Sequence, residues 1–213
     1  MTELSEEKQK TEDTIELEIE SFMAKHSRLI LQIAGGSIFG ALSAVLSFLA
    51  PLLPRTPQGL AFFDPISIIW VMAFVIFGPL AGILASVIGM LTLMPFDSFA
   101  PIGPFMKFAA TFSLIIVPIL FLKLRKKKSG ERESQILKRP KVYILYGGLG
   151  ALLRILVMTI LNIIVYLLLF GPTGLEAYLI VAAFVNLLQS LWDLLIPYLV
   201  VFGLKLDQSF EVW

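Results

Sequence analysis

Apolar residues gather in six stretches along this chain, and polar residues fall between the stretches in short breaks. About 20 consecutive apolar residues cross a hydrocarbon core, so the pattern reads as membrane spans. The first runs from about Leu29 to Leu53 and stops at Pro51 and Pro54. Pro65 opens the second, which Gly78-Pro79 ends, and the third covers about Leu80 to Met94. After a loop from Pro95 to Pro104, the fourth runs to Leu122. The fifth extends from Val142 to Phe170 and the sixth from about Glu176 to Leu204, with Gly171-Pro172-Thr173-Gly174 as the turn between them. The predicted fold is an all-α integral membrane protein, a six-transmembrane-helix bundle over residues 29–204.

Charge orients this bundle. Lys123 to Lys141 reads KLRKKKSGERESQILKRPK and holds nine of the seventeen Lys and Arg. Basic loops stay on the cytoplasmic side, so six spans with this loop inside place both termini in the cytoplasm. Residues 1–28 form an acidic cytoplasmic segment carrying Glu3, Glu6, Glu7, Glu12, Asp13, Glu16, Glu18 and Glu20, and residues 205–213 a cytoplasmic tail. Ile15, Ile19 and Phe22 recur at helical spacing within the acidic segment, which reads either as a surface helix or as a solvated tail. No cleavable signal peptide is visible ahead of Leu29. Composition agrees: 57% of residues are hydrophobic, 15% are charged, and the mean hydropathy is +0.86.

Spans two and three are too short for a full crossing. Twelve to fifteen residues reach roughly 18 to 23 Å against a core of about 30 Å. The loops flanking this pair on the outer side are long, whereas the Gly78-Pro79 turn opposite is minimal. The deficit therefore predicts a recess in the outer half, partly covered by the loop Pro54 to Asp64 with its Arg55, Gln58, Gly59, Phe62 and Phe63.

Polar groups inside spans are costly and mark function or a buried partner. Here they are Lys107, Arg154, Asp193, Asn162, Asn186 and Gln189. Counting inward from the Gly171 turn, Asn162 and Asn186 share a layer roughly 12 to 15 Å deep, and Arg154 and Asp193 share one about 24 to 26 Å deep. The charges suit an ion pair joining spans five and six, with a proton or ion relay as the alternative. The amide layer suits either interhelical hydrogen bonds or a ligand with a polar heterocycle. Small residues form a further pattern: Gly36, Gly40 and Ala44 on span one, and Gly78, Gly82, Ser86 with Ala81, Ala85, Gly89 through span three. Such stripes serve either internal packing or docking of another membrane protein.

Several chemistries find no support. There is no phosphate-binding G-x-x-x-x-G-K-[ST] loop, no Cys, and a single His, His26, ahead of the first span. No spaced carboxylate pair lies in the spans to hold a metal, and no filter-like loop marks a pore. Neither enzyme chemistry, nor a metal or bound cofactor, nor a nucleic-acid partner is expected.

Against this background the chain resembles the substrate-binding S components of energy-coupling-factor vitamin transporters, over about Leu29 to Leu204. Phe63-Asp64-Pro65 leading into Phe77-Gly78-Pro79-Leu80-Ala81-Gly82 is similar to that family's Asp-Pro start and Gly-Pro-x-x-Gly turn, and Pro101-Ile102-Gly103 is similar as well. Met158-Thr159-Ile160-Leu161-Asn162 resembles the Met-Thr-x-x-Asn element of the riboflavin-binding members, and Asn186 their ligand-facing sixth-span Asn. Those members often carry Lys one turn later, where this chain has Gln189. Gly40 and Ala44 resemble the family's small-x-x-x-small docking motif, with Gly36 one turn earlier. The resemblance implies a multi-pass protein of a prokaryotic cytoplasmic membrane that captures riboflavin or a related flavin from outside. A transmembrane coupling subunit and two ATPase subunits would then drive its reorientation. Asn162, Asn186, Gln189, Lys107 and Asp64 would contact the ligand, and Phe62 and Phe63 would close over it. A different vitamin or modified base, a stand-alone ion-coupled carrier and a ligand-free structural subunit remain the alternatives.

Overall fold

Two Asp/Gly-Pro steps shape the centre of the molecule. Asp64 turns its carboxylate onto the backbone N–H of Ile66 at 3.1 Å, and Pro65 takes the first helical position, where its missing N–H costs nothing. Thirteen residues later Gly78 breaks the helix with φ +105° and ψ −175°, and Pro79 starts the next one. The structure, a computed structural model, describes residues 2–56, 60–125, 132–210 and 213, with side chains from residue 22 onward except at position 50. Gln58 and Gly59 of the first loop, and residues 126–131 of the basic loop with three of its nine cations, lie outside the described residues.

The elements are α1 (Thr2–Ser47), a 3-10 turn at Ala50–Leu52, α2 (Pro65–Phe77), α3 (Pro79–Leu93), α4 (Ile102–Leu124), α5 (Glu133–Leu137), α6 (Pro140–Phe170), α7 (Leu175–Gly203) and α8 (Leu206–Phe210). No β-strand occurs among the described residues. Four stretches are long and apolar enough to cross a membrane: Phe22–Ser47, α4, α6 and α7. Their outward faces carry exposed apolar rows at four-residue spacing, Leu152, Leu156, Ile160, Ile164 and Leu168 on α6, and Leu187, Leu191, Leu195 and Leu199 on α7. Apolar faces this continuous are matched to lipid rather than water.

The two short helices lie inside. Helix α2 is buried on nearly every side, which is why its sequence shows no polar stripe. Val71, Phe74 and Val75 pack with Leu114 and Ile115 of α4, Tyr143 and Tyr146 of α6, and Val201 of α7. Ile66, Trp70 and Ala73 face Ala85 and Leu93 of α3, and the Trp70 indole donates to Ser43 Oγ of α1 at 2.8 Å. Small residues make these approaches possible. A Cβ on Gly36 would come within 3.0 Å of the Ala81 backbone, one on Gly40 within 2.8 Å of Ile88, and one on Gly82 within 2.6 Å of Phe74. The stripe read as a docking surface is thus spent on internal packing at Gly36 and Gly40, which are buried against α3, while Ala44 is half-buried.

Three further differences from the sequence reading concern the ends of elements. Helix α1 is continuous from Thr2, so the acidic segment and the first span share one backbone helix, which stops at Ser47 rather than Leu53. The basic loop contains the one-turn α5, with Ser134, Ile136 and Leu137 buried. The tail folds back as α8 and buries Trp213: its ring lies 5.3 Å from that of Phe74, its indole N–H donates to the Val75 carbonyl at 3.1 Å, and its own carbonyl accepts from Ser134 Oγ. Lys138 and Asp207 close this end with an ion pair at 3.0 Å.

Gly78 is the tightest point there. Its φ and ψ lie in a region open essentially to glycine alone, and a Cβ would meet the Trp213 ring at 3.0 Å. Gly78→Ala is expected to lower stability by about 1–3 kcal/mol. A melting curve in detergent, compared with the wild type, checks it; an unchanged midpoint would contradict the strained turn.

Candidate functional site

Because α2 begins at Asp64, well inside the bundle, the space beyond its N-terminus is left to side chains of the longer helices. A cavity of about 130 Å3 lies there, at the end of the bundle opposite the basic loop. Helix α4 contributes Met106, Lys107, Ala110 and Thr111. Helix α6 contributes Arg154, Met158, Asn162 and Tyr166, and α7 contributes Tyr178, Val185, Asn186 and Gln189. The roof is made by Arg55, Leu60, Ala61 and Asp64 of the first loop and by Asp97 and Phe99 of the second. The recess expected from the short spans therefore has a structural counterpart.

The deepest polar element is a linked set of charges. Arg154 Nη1 donates to Asp193 Oδ2 at 2.6 Å, Nη2 to Gln189 Oε1 at 2.6 Å, and Nε to Asn186 Oδ1 at 3.4 Å. Asp193 also accepts from Ser67 Oγ at 2.7 Å. Arg154, Asp193 and Ser67 are each only 1% exposed, so these bonds take the place of hydration. Depth counted on backbone positions separates the charges from the amides by a full layer. The long arginine stem removes that separation, and a single guanidinium joins both layers at the cavity floor.

Higher in the wall, Lys107 Nζ pairs with Asp64 Oδ1 at 2.9 Å, so one carboxylate caps α2 and neutralises α4. Asn162 donates to the Met158 carbonyl at 2.7 Å and accepts from the Tyr178 hydroxyl at 2.6 Å. Asn186 donates to the Ala182 carbonyl at 2.8 Å. The Gln189 amide donates to the Ala61 carbonyl, fastening the first loop over the cavity. That loop is also held by the Arg55–Asp97 ion pair at 3.7 Å and by a single β-bridge between Arg55 and Ala61.

Of the predicted ligand contacts, Asn162, Asn186, Gln189, Lys107 and Asp64 all line this cavity. Phe62 and Phe63 do not: both are more than a third exposed, and Phe63 turns to Trp192 of α7 at 6.4 Å. Arg154, assigned only to an ion pair, is part of the lining as well. Tyr166 and Tyr178 were missed. They stack at 4.5 Å and 26°, and Tyr166 donates to the Thr173 carbonyl at 2.8 Å. The signal was available, since the two lie five residues before and four after the Gly171 to Gly174 turn, which makes them neighbours in an antiparallel pair.

No protein family, no curated protein and no solved structure matches this chain.

Proposed function

We propose that this chain is the substrate-capture subunit of an energy-coupling-factor importer, binding riboflavin or a related flavin. The observation that carries the reading is the cavity at the end opposite the basic loop. Three amides and two cations share its walls with Met158, Val185 and a stacked tyrosine pair, beneath a loop held by Gln189 and by the Arg55–Asp97 ion pair. Pockets for ring ligands combine apolar walls with a few placed polar groups in this way. With the basic loop cytoplasmic, six spans put both termini inside the cell and the cavity on the outer side of a prokaryotic cytoplasmic membrane. Opening of the first loop would part Gln189 from Ala61 and Arg55 from Asp97, and this loop would then act as the lid. A transmembrane coupling subunit and two ATPase subunits would supply the energy, since the chain has no phosphate-binding loop of its own. Their contact would use a face other than the buried Gly36 and Gly40.

Protein purified without added ligand is expected to show a flavin absorption spectrum or to gain thermal stability with riboflavin. Asn186→Ala should weaken riboflavin binding about tenfold, the value of one buried hydrogen bond. No colour and no shift at saturating riboflavin would dismiss the flavin. A second reading, a stand-alone carrier, draws on the buried Arg154–Asp193 pair. Uptake into liposomes by this chain alone under a proton or sodium gradient would favour it over the importer.

A further inference from the structure

Every ionised side chain around the cavity already has an opposite charge against it. Lys107 faces Asp64, Arg154 faces Asp193 just beneath the floor, and Arg55 faces Asp97. Three cations and three anions sum to zero. Each guanidinium nitrogen of Arg154 has an acceptor: Asp193, Gln189 or Asn186. A charged ligand would therefore either stay uncompensated or pull apart an existing pair, at greatest cost for the fully buried Arg154–Asp193 and at less for the partly exposed Lys107 and Arg55. The carboxamides are held in place by protein partners, Asn162 by Tyr178 and Met158, Asn186 by Arg154 and Ala182, Gln189 by Arg154 and Ala61, and each keeps one N–H and one lone pair for a ligand.

Thr111 differs. It lies one helical turn beyond Lys107 on α4 and belongs to the cavity lining. It is fully buried, and its hydroxyl has no hydrogen-bond partner among the described residues. Threonine in a helix usually returns its hydroxyl to the carbonyl four residues back, as Thr159 does to Ile155 at 2.8 Å. A buried hydroxyl without a partner, on a residue that lines a cavity, is a donor and acceptor that a ligand can engage once the wall adjusts.

We infer that the cavity takes an uncharged molecule and that the Thr111 hydroxyl bonds to it, as a specificity-determining contact. The inference rests on the cavity being a ligand site, as proposed above, and it does not require that ligand to be a flavin. A phosphate ester adds about −1.5 to −2 charge near neutral pH, so riboflavin and riboflavin 5′-phosphate form a matched pair of probes. Titration calorimetry of the full chain should give riboflavin at least a hundredfold the affinity of its phosphate ester. Native mass spectrometry of the protein as purified reads the charge class independently of flavins. A neutral, non-flavin molecule in the cavity would refute riboflavin and support the charge rule. A co-purified ion, equal binding of the phosphate ester, or no small molecule by either method would overturn the inference.

Thr111→Val keeps the shape and removes the hydroxyl. With the neutral ligand its Kd should rise about tenfold, while Thr111→Ser stays within about threefold of the wild type. Because the hydroxyl has no partner in the free protein, the valine variant should melt at or above the wild-type temperature without ligand. Wild-type affinity in Thr111→Val removes the contact. A fall in unliganded melting temperature would instead make Thr111 a structural residue and overturn its assignment.

Discussion

Arg154→Met is expected to cost about 3–5 kcal/mol, the largest effect of any single side chain in the bundle. The substitution keeps most of the volume but leaves the Asp193 carboxyl, 1% exposed, without its counter-ion and with the Ser67 hydroxyl as its remaining hydrogen-bond donor. It also strips Gln189 Oε1 and Asn186 Oδ1 of their donor. Asp193→Leu should be comparably damaging, since it buries an unpaired guanidinium. The double variant Arg154→Met/Asp193→Leu removes both charges and should recover much of the loss, because two buried ions together gain little over apolar side chains of similar size. Recovery should stop short of the wild type, as Gln189 Oε1 and Asn186 Oδ1 remain without the Arg154 donor, whereas Ser67 keeps the Asp64 carbonyl at 3.0 Å. Denaturant unfolding in micelles, run as a double-mutant cycle, measures this directly. Single variants within about 1 kcal/mol of wild type would mean that water reaches the pair.

The same residues show what a sequence can and cannot disclose. The boundaries of α6 and α7 fall within two residues of those read from Pro, Gly and the ends of apolar runs, whereas α4 starts at Ile102, inside the stretch read as the loop Pro95 to Pro104. That precision has a physical origin, since α6 and α7 are bounded by Pro140 and by the Gly171 to Gly174 turn, which break a helix wherever they fall, whereas α1, with no such break, continues back to Thr2. Pairing of Arg154 with Asp193 was legible from their equal depth across one turn. The reach of Arg154 to Gln189 was not, because residue counting follows the backbone and takes no account of a long side chain. Trp213 and α5 were also invisible: a five-residue helix spans little more than one turn and repeats no hydrophobic period, and a lone Trp in a polar tail carries no signal until a groove beside Gly78 exists to receive it. Thr111 carries no signal in an apolar run, and only the folded structure shows its hydroxyl without a partner among the described residues. Phe62 and Phe63 misled for the opposite reason. Aromatic residues at a mouth look like lids, but Phe63 found Trp192 on the outside of α7.

Gly150→Val should lower stability by about 3 kcal/mol and weaken ligand binding as well. Helices α4 and α6 meet at this glycine, where an added Cβ would collide with the Leu114 carbonyl oxygen. That carbonyl is unusual: Pro118, four residues on, has no N–H to offer it, so it stands free of the helical ladder and turns toward α6. The glycine Cα–H is what can approach it, in the weak C–H···O contact common between closely packed helices. A flexible neighbour could rotate away from a larger side chain, but a backbone oxygen cannot, so the helices themselves must part. Thr111 lies one turn from Leu114 on α4, and Arg154 one turn from Gly150 on α6, so parting the helices moves opposite walls of the cavity. Gly148→Val is the control within the same helix, because nothing lies within 4 Å of a Cβ there. Valine is no worse than glycine in a helix interior, so this variant should match or slightly exceed wild-type stability. Equal melting temperatures for the two valine variants would show that α4 and α6 do not meet as closely as Gly150 and Leu114 require.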